Sequence, residues 1–398
     1  MPDGYDVVIV GGAAMGSSLA YHITADAGFD GRVLVVEKDQ TYRRSASALS
    51  AASIRQQFSS EVNIRISLHG IRFLREIARH LAVEGEAPDI ALREGGYLYL
   101  ASEAGAAVLR ENHSVQIREG ADIRLFEPEA LPERFPWLDT EDLACGSWGR
   151  SGEGWFDGWG LLQAFRRKAR ASGAEYRTGR VVGLEREGAR ITAVRLDDGA
   201  RVPCGVVVNC AGAGGRALAA MAGVEIPVFA KRRSVFSFTC PERLEGFPLL
   251  IDTTGVWCRP EGEGFIGGVS PAAGEDDPDW LDDDASTQEP DWALFEERVW
   301  PALAQRVPAF EAIRPGRAWA GPYDMNLLDH NAILGPAGVP ENFHLCNGFS
   351  GHGLQQSPAV GRGLAELIVH GRYTTLDLSD LGYQRILAKR PLLERNVI

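Results

Sequence analysis

VVIVGGAAMGSSLA, residues 7–20, runs four β-branched residues into a glycine turn and then into small residues suited to a helix. The order reads as strand, turn, helix. Gly11, Ala13 and Gly16 fill the special places of the pattern G-x-G-x-x-G. There the first glycine makes the tight turn, the second admits a pyrophosphate, and the third lets the helix pack on the strand. Alanine in the middle weakens the phosphate contact and leaves the turn intact.

The stretch that follows, RVLVVEKD, is a second β-branched strand ending in Glu37, 21 residues after Gly16. A βαβ unit of that length sets a carboxylate at the strand tip. There it accepts hydrogen bonds from adenosine ribose hydroxyls and repels a 2′-phosphate, which disfavours NADP.

The whole chain is compatible with a large buried cofactor. Its 398 residues exceed what one simple core holds, so a large composite domain or two domains is expected. Apolar residues make up 45% and charged residues 24%, an ordinary globular balance. The net charge of −13 and the lack of a basic stripe argue against a nucleic-acid surface. No apolar run reaches the ~18 residues of a membrane span. No basic or cleavable apolar segment precedes Tyr5, so a cytoplasmic protein is expected, peripheral to a membrane at most through a partner. The six cysteines, at 145, 204, 210, 240, 258 and 346, show no metal-ligand spacing and read as buried apolar residues; no metal is expected.

Further along, residues 61–84 have the spacing of an amphipathic helix, 95–101 (GGYLYLA) that of a strand, and 101–120 helical periodicity. A Pro- and Glu-rich stretch, 126–142, separates these from a helix over 159–173. Three alternating strands follow: EYRTGRVVGLERE, ARITAVRLDD and RVPCGVVVNCAGAGG. The last is a continuous apolar run into a glycine-rich turn at 211–215, the mark of a central parallel strand whose end approaches a ligand. An NAD-only dehydrogenase has little reason to carry this second turn. Short strands then fill 232–270, and nine acidic residues between 275 and 291 read as a solvated loop. The closing FHLCNGFSGHGLQQSPAVGRG is a strand, a glycine-rich loop and a helix.

Taken together, VVIVGGAAMGSSLA with Glu37, VVVNCAGAGG, and NGFSGHGLQQSPAVGR resemble in order and spacing the D-amino-acid oxidase superfamily of FAD-dependent amine oxidoreductases. That superfamily includes sarcosine oxidase, glycine oxidase and dimethylglycine dehydrogenase. SIRQQFS and GFSGHGLQQSP are similar to a mitochondrial branch linked to respiratory complex I assembly, and to its bacterial relatives.

The resemblance implies an α/β fold: a Rossmann-type FAD-binding domain made of 1–90, 145–226 and 318–398, and an antiparallel-sheet (α+β) substrate-binding domain made of 91–144 and 227–317. Carried over, Gly11, Gly12, Ala13, Ala14, Met15 and Gly16 contact the FAD pyrophosphate, Glu37 takes the ribose, and Lys38 follows it. Ser45 and Ser47 line the pyrophosphate and flavin, the Val182 backbone pairs with adenine, and Ala211 and Gly212 flank the diphosphate. Gly348, Ser350, Gly351, His352, Gly353 and Leu354 wrap the flavin ring, where helix donors favour the charge that grows at N1 and O2 on reduction.

Departures from the family are equally specific. Gly321 stands where some relatives attach FAD through cysteine, and SASALSAASI lacks the histidine that others use, so noncovalent FAD is expected. Ile266 stands near the place of an oxygen-assisting lysine, whose absence favours a dehydrogenase with another acceptor; oxygen, a quinone and an electron-transfer protein all stay open as the acceptor. Gln355 replaces a carboxylate-gripping lysine. Arg55 and Arg317 then become the candidate carboxylate partners, because an arginine fork matches a carboxylate. Tyr323, Gly351, Gln355 and Gln356 complete the expected pocket, with His352, Arg55 and Tyr323 as catalytic candidates, and His330 reads as structural. The expected activity is oxidation of a secondary or N-methyl amino acid or related amine by hydride transfer to flavin N5, followed by imine hydrolysis. The alternative is a flavoprotein that serves assembly of, or electron transfer to, a respiratory complex.

Overall fold

The computed structural model describes residues 4–272 and 274–395. Its first sheet grows from strand β1, Tyr5–Val10, whose Val7–Val10 side chains are all buried. A strand buried on both faces must have strands on both edges and layers above and below. Strand β2 (Val33–Glu37) pairs parallel on one side of β1.

Strands β3 (Ser53–Ile54), β4 (Tyr97–Ala101), β5 (Ile123–Phe126), β6 (Cys145–Gly149) and β7 (Gly154–Trp155) lie outside this sheet. It resumes with β8 (Glu175–Thr178), which pairs parallel with β2. Strands β9 (Val181–Glu187) and β10 (Arg190–Leu196) form an antiparallel extension onto β11 (Arg201–Asn209). The run 175–187 is therefore two strands, broken at Gly179 and Arg180, with different partners.

The second sheet adds β12 (Val228–Thr239), β13 (Leu249–Ile251), β14 (Trp257–Glu261), β15 (Gly264–Gly268) and β16 (Arg314–Asn326). The chain returns to the first sheet with β17 (Ile333–Pro336) and β18 (Phe343–Asn347). The first sheet then runs β17-β18-β11-β1-β2-β8, and the second β16-β12-β15-β14-β13-β4-β6-β5. β3 and β7 form a separate two-stranded sheet, with Trp155 also bridged to Arg93.

Two particulars differ from the sequence expectation. β6 and β16 belong to the second sheet, although the segments 145–226 and 318–398 put β6 and most of β16 with the cofactor unit. The reason is register: β16 pairs along β12 from Val228↔Asn326 to Thr239↔Arg314. The second sheet is also not wholly antiparallel, because β13 and β4 run parallel.

Six helices matter for the site: α1 (Ala14–Thr24), α2 (Ala46–Leu49), α3 (Glu61–Arg75), α4 (Glu103–Arg118), α5 (Gly158–Ala171) and α6 (Gly353–His370). α1 and α6 pack closely because small residues meet; a Cβ at Gly361 would overlap Ser18, whose hydroxyl donates to the Ser357 carbonyl at 2.6 Å. Apolar clusters fill both faces of the first sheet. A third, rich in phenylalanine, lies under the second sheet and includes Phe236, Phe238, Phe247, Phe265, Phe295 and Phe310. Each such side chain, fully buried, is worth about 1.5–3 kcal/mol. Among the described residues no helix is long and apolar enough to cross a membrane.

Candidate functional site

The strand ends of β1, β11 and β18 lie side by side, so the three glycine-rich segments converge at one edge of the first sheet. Gly11 has φ +102°, and a Cβ there would overlap the Cys210 carbonyl of the second turn. A Cβ at Gly16 would overlap the Gly11 carbonyl. Both places demand glycine. Ala13 has φ −68°, an ordinary conformation, which is why alanine is accepted there.

The first turn is also tied to the acid predicted to serve it. Glu37 accepts from the Gly12 N–H at 2.8 Å through Oε2 and from the Asp39 N–H at 3.0 Å through Oε1. Beside Gly12 stands the buried Tyr42 hydroxyl, which has no hydrogen-bond partner among the described residues. The N-terminus of α1 has no side-chain cap and no acid in its first turn, and the Ala14 N–H reaches Ser47 Oγ at 3.3 Å. An uncapped helix start behind a glycine turn favours an anion.

Other expected cofactor contacts have structural partners. Ser45 caps α2 by accepting from the Ala48 N–H at 3.2 Å. Lys38 is ion-paired with Asp282, and Arg44 donates to the Asp282 carbonyl at 3.0 Å. The acidic segment is therefore not simply a solvated loop. Its residues 278–280 line up along β12 through Arg232 N–H to Pro278 O and Trp280 N–H to Ala230 O. Asp277 binds the buried Arg233 at 2.6 Å, and Asp279 binds Lys231 at 2.7 Å. Val182 is the extra residue of a bulge between Gly183↔Arg195 and Val181↔Leu196, so its peptide stands outside the paired register. In the second turn Gly212 has φ +51° with open space around it, and the Ala211 N–H is held by Asn209 at 3.2 Å.

The third segment is pre-shaped by one buried acid. Asp324 Oδ2 accepts from the N–H groups of Gly348 (2.8 Å) and Phe349 (3.2 Å), and its carbonyl accepts from Ser350 (3.1 Å). Burial pushes the Asp324 carboxyl up to about 6. Gly348, Ser350 and Gly351 all have positive φ, and a Cβ at Gly351 would overlap the half-buried Tyr323 ring. The loop opens into α6, which again lacks a side-chain cap and an acid in its first turn. Gly353 and Leu354 form that first turn, with Leu354 packed on Gly158 of α5.

Arg55 lies beside this loop and is 1% exposed. Its guanidinium sits 4.1 Å from the Phe58 ring centre and 5.6 Å from that of Tyr99. Its Nη2 reaches His352 Nε2 at 2.9 Å, and its Nη1 donates to the Gln57 carbonyl at 2.5 Å. Burial, and then the Arg55 charge, hold the His352 imidazole well below its ordinary range, so it is neutral. Since arginine only donates, Nε2 must accept and Nδ1 carries the proton.

The remaining expected pocket residues divide. Gln355 Oε1 accepts from the Arg55 N–H at 2.9 Å and Gln356 Nε2 donates to Asn63 at 3.1 Å, so both side chains serve as supports. Arg317 lies on the exposed start of β16, while the buried arginines of that sheet are Arg233 and Arg259. Arg233 stands 5.4 Å from the Tyr323 ring centre. Gly321 packs against Leu49, and His330 takes φ +57° in a turn closed on the Asn326 carbonyl. Ile266 is buried, and its cross-strand neighbour Arg259 places a cation beside it. That cation is taken up by Glu261 and the Ala51 carbonyl.

Sequence reasoning missed Asp324, Arg233, Arg259 and Glu153. For Arg259 a signal existed, a charge amid the largely apolar VWCRP; Arg233 was masked by its neighbours Lys231 and Arg232. Glu153, between two glycines, gave none.

Comparisons with known proteins agree with the fold. The family described as DAO, FAD dependent oxidoreductase, matches residues 6–367. The Xenopus laevis FAD-dependent oxidoreductase domain-containing protein 1 is 42% identical over 433 residues, covering 100% of this chain and 85% of that protein. Human mitochondrial sarcosine dehydrogenase is 26% identical, covering 94% of this chain and 40% of its own length. Among solved structures, L-proline dehydrogenase from P. horikoshii superposes with a TM-score of 0.84 at 25% identity, covering 98% of this chain and 99% of that one.

Proposed function

We propose that this chain, which belongs to the DAO family of FAD-dependent oxidoreductases, oxidises a secondary or N-methyl amino acid, with noncovalent FAD accepting hydride at N5 and the imine product hydrolysing in water. The observation that carries the reading is the placement of Arg55. It is a buried guanidinium turned onto two aromatic rings, next to the loop that opens α6.

In this reading the glycine turn at 11–16 and the open start of α1 hold the pyrophosphate, Glu37 takes the ribose, and the Val182 peptide faces adenine. The partnerless Tyr42 hydroxyl fits that polar ligand. The open start of α6 turns its N–H groups toward the flavin.

Arg55 receives the substrate carboxylate. His352, neutral, orients the guanidinium, and Phe58 and Tyr99 exclude water around it. Tyr323 keeps its proton, because burial raises its hydroxyl, and offers a donor beside Gly351. Gly321 leaves no thiol for a covalent link. The apolar Ile266, with the Arg259 charge already compensated, favours a dehydrogenase. Anaerobic mixing of the yellow holoprotein with sarcosine, dimethylglycine, proline, glycine and D-amino acids tests the reading. Bleaching by an N-substituted member is expected, and no bleaching by any member contradicts it.

A further inference from the structure

Glu153 is a carboxyl with no solvent contact, 0% exposed, directly before β7. Burying such a group is costly unless its oxygens are bonded. They are bonded to the segment that carries Arg55. Oε1 accepts from the N–H groups of Gln56 at 2.5 Å and Gln57 at 3.1 Å, and Oε2 accepts from Gln57 Nε2 at 2.8 Å.

The fold builds this contact deliberately. β3 and β7 pair as Ser53↔Trp155 and Ile54↔Gly154, which brings Glu153 against the residues just beyond β3. Gly149 makes room for it, since a Cβ there would overlap the carboxyl. Gln56 Nε2 donates to the Gly152 carbonyl at 2.7 Å, closing the same junction. At the other end of the segment Arg259 grips the Ala51 carbonyl at 3.0 and 2.6 Å.

Residue Gln57 links the two groups through its backbone. Its N–H donates to Glu153, and its carbonyl accepts from Arg55 Nη1. We infer that Glu153 is a positioning residue for substrate recognition: by holding Gln57 at its N–H and its side chain it sets the Gln57 carbonyl and with it the Arg55 guanidinium that receives the substrate carboxylate. The inference rests on the reading of Arg55 given above. Burial pushes the Glu153 carboxyl up to about 7.

The test uses the FAD-loaded full chain and tetrahydrofuran-2-carboxylate, which keeps the ring and carboxylate of a cyclic amino acid and lacks the oxidisable N–H. Binding is read by calorimetry, with flavin content and melting temperature measured on every variant. Glu153→Asp keeps the charge and loses the reach; it is expected to weaken binding about tenfold, as sub-ångström misplacement does. Glu153→Gln keeps the shape and one acceptor and is expected to lose less. In an Arg55→Lys background the same Glu153→Asp change is expected to cost less than about twofold, since the two residues act as a unit. Folded, flavin-loaded Glu153 variants that bind as the parent does would overturn the inference alone, as would an undiminished loss in the Arg55→Lys background. A parent protein that does not bind the carboxylate overturns the Arg55 reading, and the inference with it.

Discussion

Arg55 Nη2 and His352 Nε2 stand 2.9 Å apart in a buried pocket, which makes the imidazole an acceptor and not an acid. The consequence is a fixed Nδ1–H tautomer. Nitrogen NMR of labelled protein is expected to find His352 neutral at both pH 6 and pH 8, and an imidazolium at pH 6 would refute the assignment. Because its folded pKa is lowered, its contribution to stability is lost as pH falls below about 6.5 and is complete above it.

Glu153 titrates in the opposite sense. Burial raises its carboxyl from 4.5 to about 7. Across that window the folded chain holds a proton that the unfolded chain has released, so unfolding free energy falls as pH rises and stays lowered above about 7. Glu153→Gln removes this component. Urea titrations at pH 5 and pH 8 are expected to show the parent losing about 1–3 kcal/mol more than the variant between the two pH values. Equal losses would mean that the carboxyl is not desolvated as described.

The glycine turn makes a sharper distinction than its motif suggests. Gly16→Ala must push its methyl into the Gly11 carbonyl, whereas Ala13→Gly relieves nothing, since residue 13 has ordinary dihedrals. Gly16→Ala is expected to lose FAD on purification, and Ala13→Gly to retain it or hold it more tightly. Flavin absorbance per protein measures both, and a marked loss with Ala13→Gly would count against the turn as described.

Two ion pairs of the acidic segment differ in burial and therefore in worth. Arg233 is 8% exposed and Asp277 26%, while Lys38 and Asp282 are 45% and 36% exposed. Removing Asp277 strands a buried charge; Asp277→Ala is expected to cost about 2–4 kcal/mol. Asp282→Ala is expected to cost under about 1 kcal/mol. Denaturant midpoints rank the two, and the reverse order would show that the segment does not pack on β12 as described.

The first sheet was readable in the sequence because its strands are buried on both faces and end in glycine turns. VVIV, VLVV and VVVN leave little alternative. Glu37 and the 348–354 loop were readable for a related reason: their spacing is set by the unit that carries them. The supports were not readable. Glu153, Asp324 and Arg259 lie roughly 100, 25 and 208 residues from the segments they hold; the β3–β7 pairing brings the first there and the second sheet's register the other two. Arg317 was a candidate carboxylate partner, yet the open end of β16 leaves it in solvent, while Arg233 on the adjacent strand is buried.

The most direct test of the central claim is anaerobic stopped-flow reduction of the FAD-loaded protein by N-substituted amino acids and by the matching amines without a carboxylate, in the parent and in Arg55→Lys. The account predicts saturable reduction by at least one N-substituted amino acid and markedly weaker reduction by its decarboxylated partner. It also predicts a rise of about 10–100-fold in the apparent Kd for Arg55→Lys, because a point charge replaces a bidentate fork. Equal reduction by the acid and its decarboxylated partner, or a parent flavin that no member reduces, would contradict it.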